Sequence, residues 1–341
     1  MTSPLDPRLA ALINPELLFA EPERFTDMGF WHQHVPFAFV LTDLLEPRSY
    51  VELGAHKGDS YCAFCQAVVK LGLPTRCHAV DTWSGDLHTS AYAGSVHDEL
   101  KAWHDARYAR FSTLMRMRFD EAAAAFAPGS VDLLHIDGTH TYEAVRHDFE
   151  TWLPKMSERG VILFHDTNVH SETYGVWKLW QEIRDRHPHF EFLHGNGLGV
   201  LATGPALPAK FRAFLEFASH NPDAVRSLFE AFGQRVARRA LVEAQGAKLA
   251  ALESAHATLQ KDAARAGAEL GELARAHAVL IEQRRALDER LAALETQYRS
   301  ETGAARADIA RLSNELQSVY LSSSWKFSAP LRWLGRLLRG G

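Results

Sequence analysis

The amino-acid sequence predicts an α/β fold, a mostly parallel β-sheet with helices on both faces, followed by a long α-helical coiled coil. Up to about residue 204, short apolar runs alternate with amphipathic helical segments, which is typical of parallel strands covered by helices. From about residue 241, leucines recur every seven residues and proline is absent up to residue 320. Heptad leucines without proline are typical of a coiled coil.

Seven segments of strand character lie in the first part of the chain, at 49–54, 77–82, 112–117, 131–137, 160–166, 190–194 and 198–203. Helical segments separate the first five of them, at 59–71, about 95–107, 120–126 and 142–153. The first five strands are therefore expected to run parallel. The last two follow a helical segment and flank Gly195-Asn196-Gly197, which predicts an antiparallel hairpin.

These patterns divide the chain into five parts: a helical lead-in at 1–45, the sheet domain at 46–204, a helical linker at 205–240, the coiled coil at 241–320 and a basic amphipathic tail at 321–341. One heptad position of the coiled coil is held by Leu252, Leu259, Ala266, Leu273, Leu280, Leu287 and Leu294. A solvated single helix is the rival interpretation, but isolated amphipathic helices are marginal in water.

The composition of the chain limits the function classes that it can belong to. A net charge of −5 over 341 residues gives no reason to expect a nucleic-acid surface. The three cysteines, Cys62, Cys65 and Cys77, fit no disulfide framework and indicate a reducing compartment. The first residues do not resemble a signal peptide, and no apolar run is long enough to span a bilayer. A cytoplasmic protein is therefore expected, with the tail allowing peripheral contact at the inner face of the membrane.

The tail interleaves apolar and basic side chains. Its apolar members are Trp325, Phe327, Leu331, Trp333, Leu334, Leu337 and Leu338, and its basic members are Lys326, Arg332, Arg336 and Arg339. Aromatic and basic residues on a short amphipathic segment indicate a helix in a membrane interface. Docking onto a partner protein explains the same pattern, and the sequence leaves both interpretations open.

The ends of the first two strands have the features of a nucleotide site. Gly54 and Gly58 lie between the first strand and the following helix, where glycines allow the backbone to approach a ligand closely. Asp81 ends the second strand, and an acid at such a strand end can accept hydrogen bonds from ribose hydroxyls. Trp83 beside it can stack on an adenine. Asp81 as a simple turn or cap residue is the alternative.

Four stretches, "VELGAHKGDS", "AVDTWSGDLH", "LLHIDGTHTYEAVRHDFETWLPKMSERGVILFHDT" and "GVWKLW", resemble class I S-adenosylmethionine-dependent methyltransferases of the bacterial group associated with surface-polysaccharide gene clusters. The resemblance covers roughly residues 48–203. It implies a Rossmann-like sheet of strand order 3-2-1-4-5-7-6 with the last strand antiparallel, and S-adenosylmethionine bound over strands 1 and 2. The cofactor-binding residues that it implies are Glu52, Gly54, Lys57 and Gly58 at the methionine end, Asp81 at the ribose, and Trp83 with Phe119 or Asp120 at the adenine.

Two acids are predicted to meet at the next pair of strand ends. Asp137 ends the strand at 131–137, and His165 and Asp166 end the strand at 160–166. In the implied strand order these ends lie about 5 Å apart, and two carboxylates that close repel each other unless a proton or cation lies between them. Asp137, His165 and Asp166 are therefore predicted to bind Mg²⁺ or another divalent cation. The alternative is that Asp137 only orients the cofactor amine and Asp166 only caps a turn.

The histidines between residues 135 and 148 are expected to have three different roles. His140 follows Gly138 in the strand-to-helix loop, where it can act as a general base and take a hydroxyl proton. A structural loop residue is the alternative for His140. The helical phase of the next segment puts His147 on the solvated face. His135 lies inside the strand and is expected in the core.

The sequence thus predicts an O-methyltransferase that uses S-adenosylmethionine and acts on a sugar hydroxyl of a surface polysaccharide or its precursor. The loop at 84–94 has the small residues of a lid, with His88 and Tyr92 as substrate contacts. The coiled coil predicts a homo-oligomer or a partner protein. Two alternatives are a hydroxylase-like enzyme on the same scaffold, and a non-catalytic assembly module for glycan-synthesis partners.

Overall fold

The computed structural model of the chain describes residues 6–86, 90–91 and 95–339, so the predicted lid residues His88 and Tyr92 lie outside the described residues. Before the sheet come helices α1 (Pro7–Leu12), α2 (Pro15–Leu18) and α3 (Val35–Leu45), with a 3-10 helix at Gly29–His34 between the last two. Nearly every residue of α3 is buried, because the helix packs against the sheet domain as part of its core.

The strands follow the predicted order along the chain. They are β1 (Ser49–Leu53), β2 (Arg76–Asp81), the short β3 (Gly85–Asp86) and β4 (Ser90–Ala91), then β5 (Ser112–Arg116), β6 (Val131–Ile136), β7 (Met156–His165), β8 (His189–Phe192) and β9 (Leu198–Ala202). Strands β3 and β4 pair with each other in a separate hairpin.

Among the described residues, seven strands form one sheet in the order β5-β2-β1-β6-β7-β9-β8. Pairing is parallel from β5 through β7, and β9 runs antiparallel to both of its neighbours. Counted along the chain, this order is 3-2-1-4-5-7-6, so the predicted topology is confirmed. Parallel order places the ends of β1, β2, β6 and β7 at one edge of the sheet.

Helices cover both faces of this sheet. They are α4 (Asp59–Leu71), α5 (Ser95–Tyr108), α6 (Phe119–Ala123), α7 (Tyr142–Trp152) and α8 (Val176–Ile183), with 3-10 turns at Leu153–Lys155 and Arg184–Arg186. Successive strand residues point to opposite faces, so Leu133 packs with α3 and α4 whereas Leu134 packs with α7 and α8. The sheet therefore has two separate hydrophobic cores.

The chain contacts divide the molecule into two units, Met1–Ala250 and Ala251–Gly341. Within the first unit, α9 (Ala209–His220) and the first turns of α10 (Pro222–Leu321) complete the core, where Phe214 and Phe229 are fully buried. The three cysteines, Cys62, Cys65 and Cys77, are also buried in this unit and form no disulfide.

The second unit is helical throughout its described residues. It comprises the rest of α10, then α11 (Ser323–Phe327) and α12 (Ala329–Arg339). Helix α10 passes through Gly303 without interruption. Its heptad leucines are exposed, Leu273 to 67%, so the pairing of a coiled coil stays a prediction. None of the described helices carries an apolar stretch that would cross a bilayer.

Candidate active site

A cavity of about 630 Å³ opens at the edge of the sheet where β1, β2, β6 and β7 end. Its wall is built from the loops that follow these strands, at 54–60, 81–85, 137–140 and 165–166. The crevice beyond the carboxyl ends of parallel strands, where the strand order reverses, is the usual ligand site of such sheets. Here β1 lies between β2 on one side and β6 on the other, and the strand order reverses at β1. The cavity lies at this reversal.

The loop after β1 takes a shape that requires glycine at two positions. Gly54 has a φ of +93°, and a Cβ there would lie 2.1 Å from the carbonyl oxygen of Asp137. Gly58 has a φ of +84° and precedes the first turn of α4. Both angles favour glycine, and the tight approach keeps the loop low on the sheet. The first residues of α4 line the cavity, and backbone N–H groups at a helix N-terminus have no partner within the helix.

Asp81 holds the second side of the cavity. Its Oδ2 accepts from the His56 backbone N–H at 2.9 Å, and its Oδ1 accepts from the Trp83 backbone N–H at 2.7 Å. These bonds tie the loop after β1 to the loop after β2 and fix the direction of the carboxylate. A carboxylate fixed in this way at the end of the second strand is in the position expected of a ribose acceptor.

Trp83 lies behind the cavity wall instead of on it. Its side chain is buried, its Nε1 donates to the His56 carbonyl at 2.8 Å, and its ring packs edge-on against His97. The Trp83 ring therefore has no face toward the cavity for the predicted stacking on an adenine. Its indole instead stabilises the loop after β1.

Glu52, which the resemblance assigns to the methionine end, lies beneath the cavity. The carboxylate is fully buried, accepts from the Tyr50 hydroxyl and accepts from Ser60 Oγ at 2.6 Å. His135 Nδ1 lies 3.1 Å from its Oε2, while Trp31 Nε1 donates to His135 Nε2 at 3.2 Å. Since Nε2 accepts that bond, the proton of the ring is on Nδ1, which lies near Glu52 but outside hydrogen-bond geometry. Glu52 thus supports the loop after β1 from below, and His135 is the core histidine that the sequence predicts.

Phe119, Asp120 and Lys57 line the cavity, and their binding of the cofactor stays a prediction. Phe119 packs on the bare face of Gly138, where a Cβ would lie 2.5 Å from its ring. At the mouth of the cavity, Asp120 Oδ1 lies 2.7 Å from His147 Nε2. Lys57 forms an ion pair with Asp27. An aromatic edge beside an acid suits an adenine ring and its exocyclic amine.

Asp148, which the sequence analysis did not single out, lines the same end of the cavity from α7. Its side chain is buried. Burial raises the pKa of the Asp148 carboxyl to about 7, with His147 opposing the shift and Asp120 adding to it. A signal was present in the sequence, since an acid at 148 falls between Val145 and Phe149 on the apolar side of the predicted helix.

The other end of the cavity holds a cluster of two carboxylates and two imidazoles, called here the Asp–His cluster: Asp137, His140, His165 and Asp166. His140 Nε2 lies 2.9 Å from Asp166 Oδ2 and 3.5 Å from Asp137 Oδ1. His165 Nδ1 lies 3.2 Å from Asp137 Oδ1 and 3.5 Å from Asp166 Oδ1. The strand ends of β6 and β7 therefore meet as the sequence predicts, with both acids in one site.

The charges of this cluster compensate each other. Burial opposes ionisation throughout, but the imidazoles of His165 and His140 hold the pKa of Asp137 well below its usual range and lower that of Asp166. In return, the two carboxylates outweigh the burial of His140 and raise its pKa to about 9, and they raise the pKa of His165 well above its usual value. Two cationic imidazoles thus neutralise two anionic carboxylates at neutral pH.

One imidazole of the cluster is fully engaged from behind. His165 Nε2 donates to the Gly195 carbonyl at 3.2 Å, and His34 Nε2 meets the same carbonyl at 2.9 Å. Burial and the neighbouring charge of His165 lower the pKa of His34 well below its usual value. With both of its nitrogens used, His165 buttresses the carboxylates, and it does not face a cation as the predicted metal set requires.

The donor set nevertheless fits a divalent cation, with His140 in place of His165. One ligand atom from each of Asp137, His140 and Asp166 lies within 4.8 Å of the others. Asp166 Oδ1 is buried and accepts no hydrogen bond from the described residues, and Asp166 adopts a left-handed φ of +61°. Two carboxylate oxygens and one imidazole are ligands that Mg²⁺ or Mn²⁺ accepts.

Besides Asp148, sequence reasoning missed two segments that contribute to the cavity. The segment before α3 supplies Met28, Phe30 and Trp31 to the wall, held there by Arg24, whose Nε donates to the Lys57 carbonyl at 2.8 Å. Tyr174 stacks on His140 with ring centroids 4.9 Å apart. Both segments lie outside the predicted strand ends, so no strand-to-helix spacing marked them. The run of aromatic and histidine residues at 28–34 was the available signal.

Comparisons with known proteins agree with this geometry. Residues 51–167 match the family model described as "Methyltransferase domain". An uncharacterised protein, y4gI, of Sinorhizobium fredii is 45% identical over 185 residues, which are 54% of this chain and 20% of that protein. The chain therefore spans about a fifth of the length of that relative.

Solved structures with which the chain aligns include two bacterial proteins. A putative caffeoyl-CoA O-methyltransferase from Staphylococcus aureus aligns at 12% identity and a TM-score of 0.40, covering 53% of this chain and 86% of that one. The O-methyltransferase TomG from Streptomyces achromogenes, solved in complex with SAM, aligns at 14% identity and a TM-score of 0.38, covering 60% of this chain and 93% of that one. With the matched family model, the strand order and the cavity at its reversal, residues 51–167 form a methyltransferase domain of the class I fold.

Proposed function

We propose that this protein is an S-adenosylmethionine-dependent O-methyltransferase that acts on a sugar hydroxyl of a surface polysaccharide or its precursor. The observation that carries the proposal is the layout of one cavity in the methyltransferase domain. Asp81 and the glycine loop line one part of it, and the Asp–His cluster lines another. A methyl donor and a hydroxyl acceptor both find matching groups in the same space.

The donor end fits S-adenosylmethionine. Gly54 and Gly58 leave the backbone bare where a Cβ would clash, and the N-terminus of α4 offers free N–H groups to the methionine carboxylate. Asp81 is oriented by two backbone N–H groups to accept from the ribose. Phe119 and Asp120 line the part of the cavity suited to the adenine. When bound, S-adenosylmethionine supplies a sulfonium methyl group whose C–S bond breaks as the new C–O bond forms.

The acceptor end must remove one proton from the hydroxyl as the oxygen takes the methyl group. His140 is the proton acceptor in this proposal, held by Asp137, Asp166 and the stacked ring of Tyr174. Beside the two anionic carboxylates, the pKa of His140 is about 9. The imidazole is therefore cationic at neutral pH and cannot accept a proton. Neutralising the carboxylates brings that pKa back down.

A divalent cation held by Asp137 and Asp166, with His140 acting as the base and not as a ligand, would support the same step. When bound, it supplies positive charge that lowers the pKa of a coordinated hydroxyl. The fit of the donor set, with Asp166 Oδ1 buried and unused by described donors, supports Mg²⁺ or Mn²⁺. Calorimetry of Mn²⁺ binding to the full chain tests the site without any turnover. Asp166→Asn should weaken binding at least tenfold, whereas Asp185→Asn, an exposed acid outside the cavity, should leave it unchanged.

The sugar acceptor is proposed from the aromatic wall and from the family resemblance. Phe30 is 60% exposed and lines the cavity together with Tyr174 and the polar side chain of Asn196. Sugar rings present an apolar C–H face and an edge of hydroxyls, so an exposed aromatic beside amide and carboxylate groups suits them. A planar aromatic acceptor would use the same ring without needing the polar edge.

The test is product detection with the full chain. S-adenosylmethionine with a deuterated methyl group is incubated with panels of sugars, nucleotide sugars and oligosaccharides, and products are analysed by mass spectrometry. We expect the labelled methyl group on a sugar hydroxyl and equimolar S-adenosylhomocysteine, both absent in Asp137→Asn. Methyl transfer to catechols alone would overturn the sugar assignment. An acceptor that gains oxygen without the label would support the hydroxylase-like alternative instead.

We also propose that α10 pairs with a second copy of the chain. Leucines of one heptad position, including Leu273, Leu280 and Leu287, stay exposed to between 59% and 67% along a helix of 100 residues. A seven-residue apolar spacing keeps such a stripe on one side of a supercoiled pair. An identical stripe on a second copy matches it in length and period, so a homo-oligomer is the simplest occupant.

A further inference from the structure

The last described segment of the chain, residues 322–339, has a chemistry unlike the helix before it. This segment, called here the C-terminal tail, carries Lys326, Arg332, Arg336 and Arg339 and no acidic residue. The helix before it pairs its arginines with acids one turn away, as Arg311 does with Glu315 at 2.9 Å. The positive charge of the tail is therefore uncompensated within its own sequence.

Helix α12 separates this charge from its apolar residues. At 100° per residue, Arg332 and Arg336 fall within an arc of about 40° on one side of the helix. The opposite arc, about 160° wide at the same spacing, holds the apolar residues Leu331, Trp333 and Leu334. Helices with one basic and one broad apolar side are typical of segments that lie in a membrane interface.

The apolar side is not covered by the rest of the described second unit. Phe327 is 90% exposed, Leu331 74% and Trp333 65%. Contiguous exposed apolar surface of this kind marks an interaction site. Phe327, Leu331, Leu334 and Leu338 have the 4-3-4 spacing of a heptad, but the spacing lasts for fewer than two heptads, and a coiled coil needs it over three or four. Pairing with a second copy through a coiled-coil seam therefore does not account for them.

The tail has local order of its own. Ser322 Oγ caps α11 by accepting from the Trp325 backbone N–H at 3.2 Å. The Arg332 guanidinium lies 3.6 Å from the centre of the Trp325 ring and donates to the Trp325 carbonyl at 2.5 Å. These contacts tie α12 to α11 and keep aromatic and cationic groups side by side.

We propose that the C-terminal tail binds the surface of a membrane that contains anionic lipid, with the apolar arc of α12 in the interface and the arginine arc against the headgroups. Each basic residue near an anionic bilayer contributes about 1 kcal/mol, and tryptophan favours the headgroup level. The segment is too short and too charged to span a bilayer, in agreement with the absence of a spanning helix among the described residues. A groove on a protein partner would need complementary acids, and a lipid surface supplies negative charge without specific geometry.

Flotation of the full chain with lipid vesicles tests the proposal. Vesicles of phosphatidylcholine alone are compared with vesicles that also contain phosphatidylglycerol, at low and at physiological salt. We expect the chain to float with the anionic vesicles at least tenfold more than with the neutral ones, and salt to reduce this binding. No flotation with either vesicle, or equal binding to both, would overturn the proposal.

Matched variants separate the tail from general positive charge. The triple change Arg332→Gln, Arg336→Gln and Arg339→Gln should lower binding to anionic vesicles by about 100-fold, since three charges are lost. Arg275→Gln, Arg285→Gln and Arg299→Gln remove the same charge from exposed positions of α10 and should leave binding unchanged. Equal loss in both triples would contradict the tail as the binding site.

A second substitution tests the apolar arc. Trp333→Gln with Leu334→Gln should also abolish flotation while helicity by circular dichroism and S-adenosylhomocysteine affinity stay the same. If these variants keep vesicle binding but lose a protein that co-purifies with the wild type at defined stoichiometry, the tail is a protein-docking segment and the lipid proposal is wrong.

Discussion

The two units of this chain differ in how far their functional side chains are exposed to solvent. In Met1–Ala250, the groups proposed for the chemistry are buried or half-buried and compensate one another's charges, as His140 and Asp166 do at 2.9 Å. In Ala251–Gly341, the residues with a recognisable pattern are exposed, as Leu280 and Phe327 are. Burial fixes direction and shifts pKa values, whereas exposed apolar surface is left for a partner. The first unit thus carries the groups proposed for a reaction, and the second carries the exposed surfaces proposed for attachment.

The largest expected effect breaks the chemistry of the first unit alone. His140→Ala should lower the rate of methyl transfer by about 10²- to 10⁴-fold, the usual contribution of a general base. S-adenosylhomocysteine affinity should not change, because His140 lies at the acceptor end. Stopped assays with mass-spectrometric detection measure the rate, and His220→Ala, at the exposed end of α9, is the control. A loss of less than tenfold would remove His140 from the proposed mechanism.

The next effect separates binding from chemistry inside the same unit. Asp81→Ala should weaken binding of S-adenosylhomocysteine by about 10- to 100-fold, because hydrogen bonds to a charged carboxylate are each worth roughly 1.5–3 kcal/mol. Asp81→Asn keeps an acceptor and should lose less. Isothermal calorimetry of the full chain gives both values. If Asp81→Ala binds as the wild type does, the ribose is not held at the end of β2.

The third prediction tests the coiled coil of the second unit, and ligand binding in the cavity should not change. Light scattering should give the wild type at least twice the 38.1 kDa of one chain. Leu273→Gln, Leu280→Gln and Leu287→Gln together should return the mass to that of one chain, because buried polar groups weaken a heptad seam. Ala264→Gln, Ala278→Gln and Ala292→Gln, beside the seam, should keep the oligomer. A monomeric wild type would favour the solvated single helix.

The contrast also explains how far sequence reasoning reached. Strand order followed from the resemblance, and the meeting of Asp137 with Asp166 followed from that order. Residues defined by a strand end were therefore found. Trp83 and Glu52 are adjacent to such ends, yet their side chains point away from the cavity. Side-chain direction changes from one residue to the next along a strand. The position of a residue near a strand end therefore does not by itself show whether its side chain reaches the cavity.

Long-range contacts account for what the sequence could not provide. Trp31 reaches the site through a contact with His135, 104 residues away. Tyr174 comes from the segment before α8. Neither distance is encoded by helical or strand periodicity, which describes neighbours along one element only. Likewise the choice of His140 over His165 as the candidate metal ligand depends on the Gly195 carbonyl, which accepts from His165 Nε2 and comes from a distant turn.

The smallest expected effect concerns stability, and it tests whether burial in the first unit has the cost that its chemistry implies. Burial raises the pKa of Asp148 from an ordinary value of 3.8 to about 7, so the folded chain holds this proton more tightly than the unfolded chain. The free energy of unfolding should therefore fall as pH rises from about 4 to about 7 and stay reduced above that range, at about 1.4 kcal/mol per pKa unit.

Asp148→Asn removes this titration while keeping the size of the side chain. The variant should be more stable than the wild type by a few kcal/mol at pH 8, and the difference should shrink toward pH 5. Urea denaturation followed by circular dichroism at both pH values measures it, with the exposed Asp185→Asn as the control. If the variant and the wild type keep the same difference at pH 5 and pH 8, Asp148 is charged in the folded state. The cavity end beside Phe119 would then be wetter than its burial indicates.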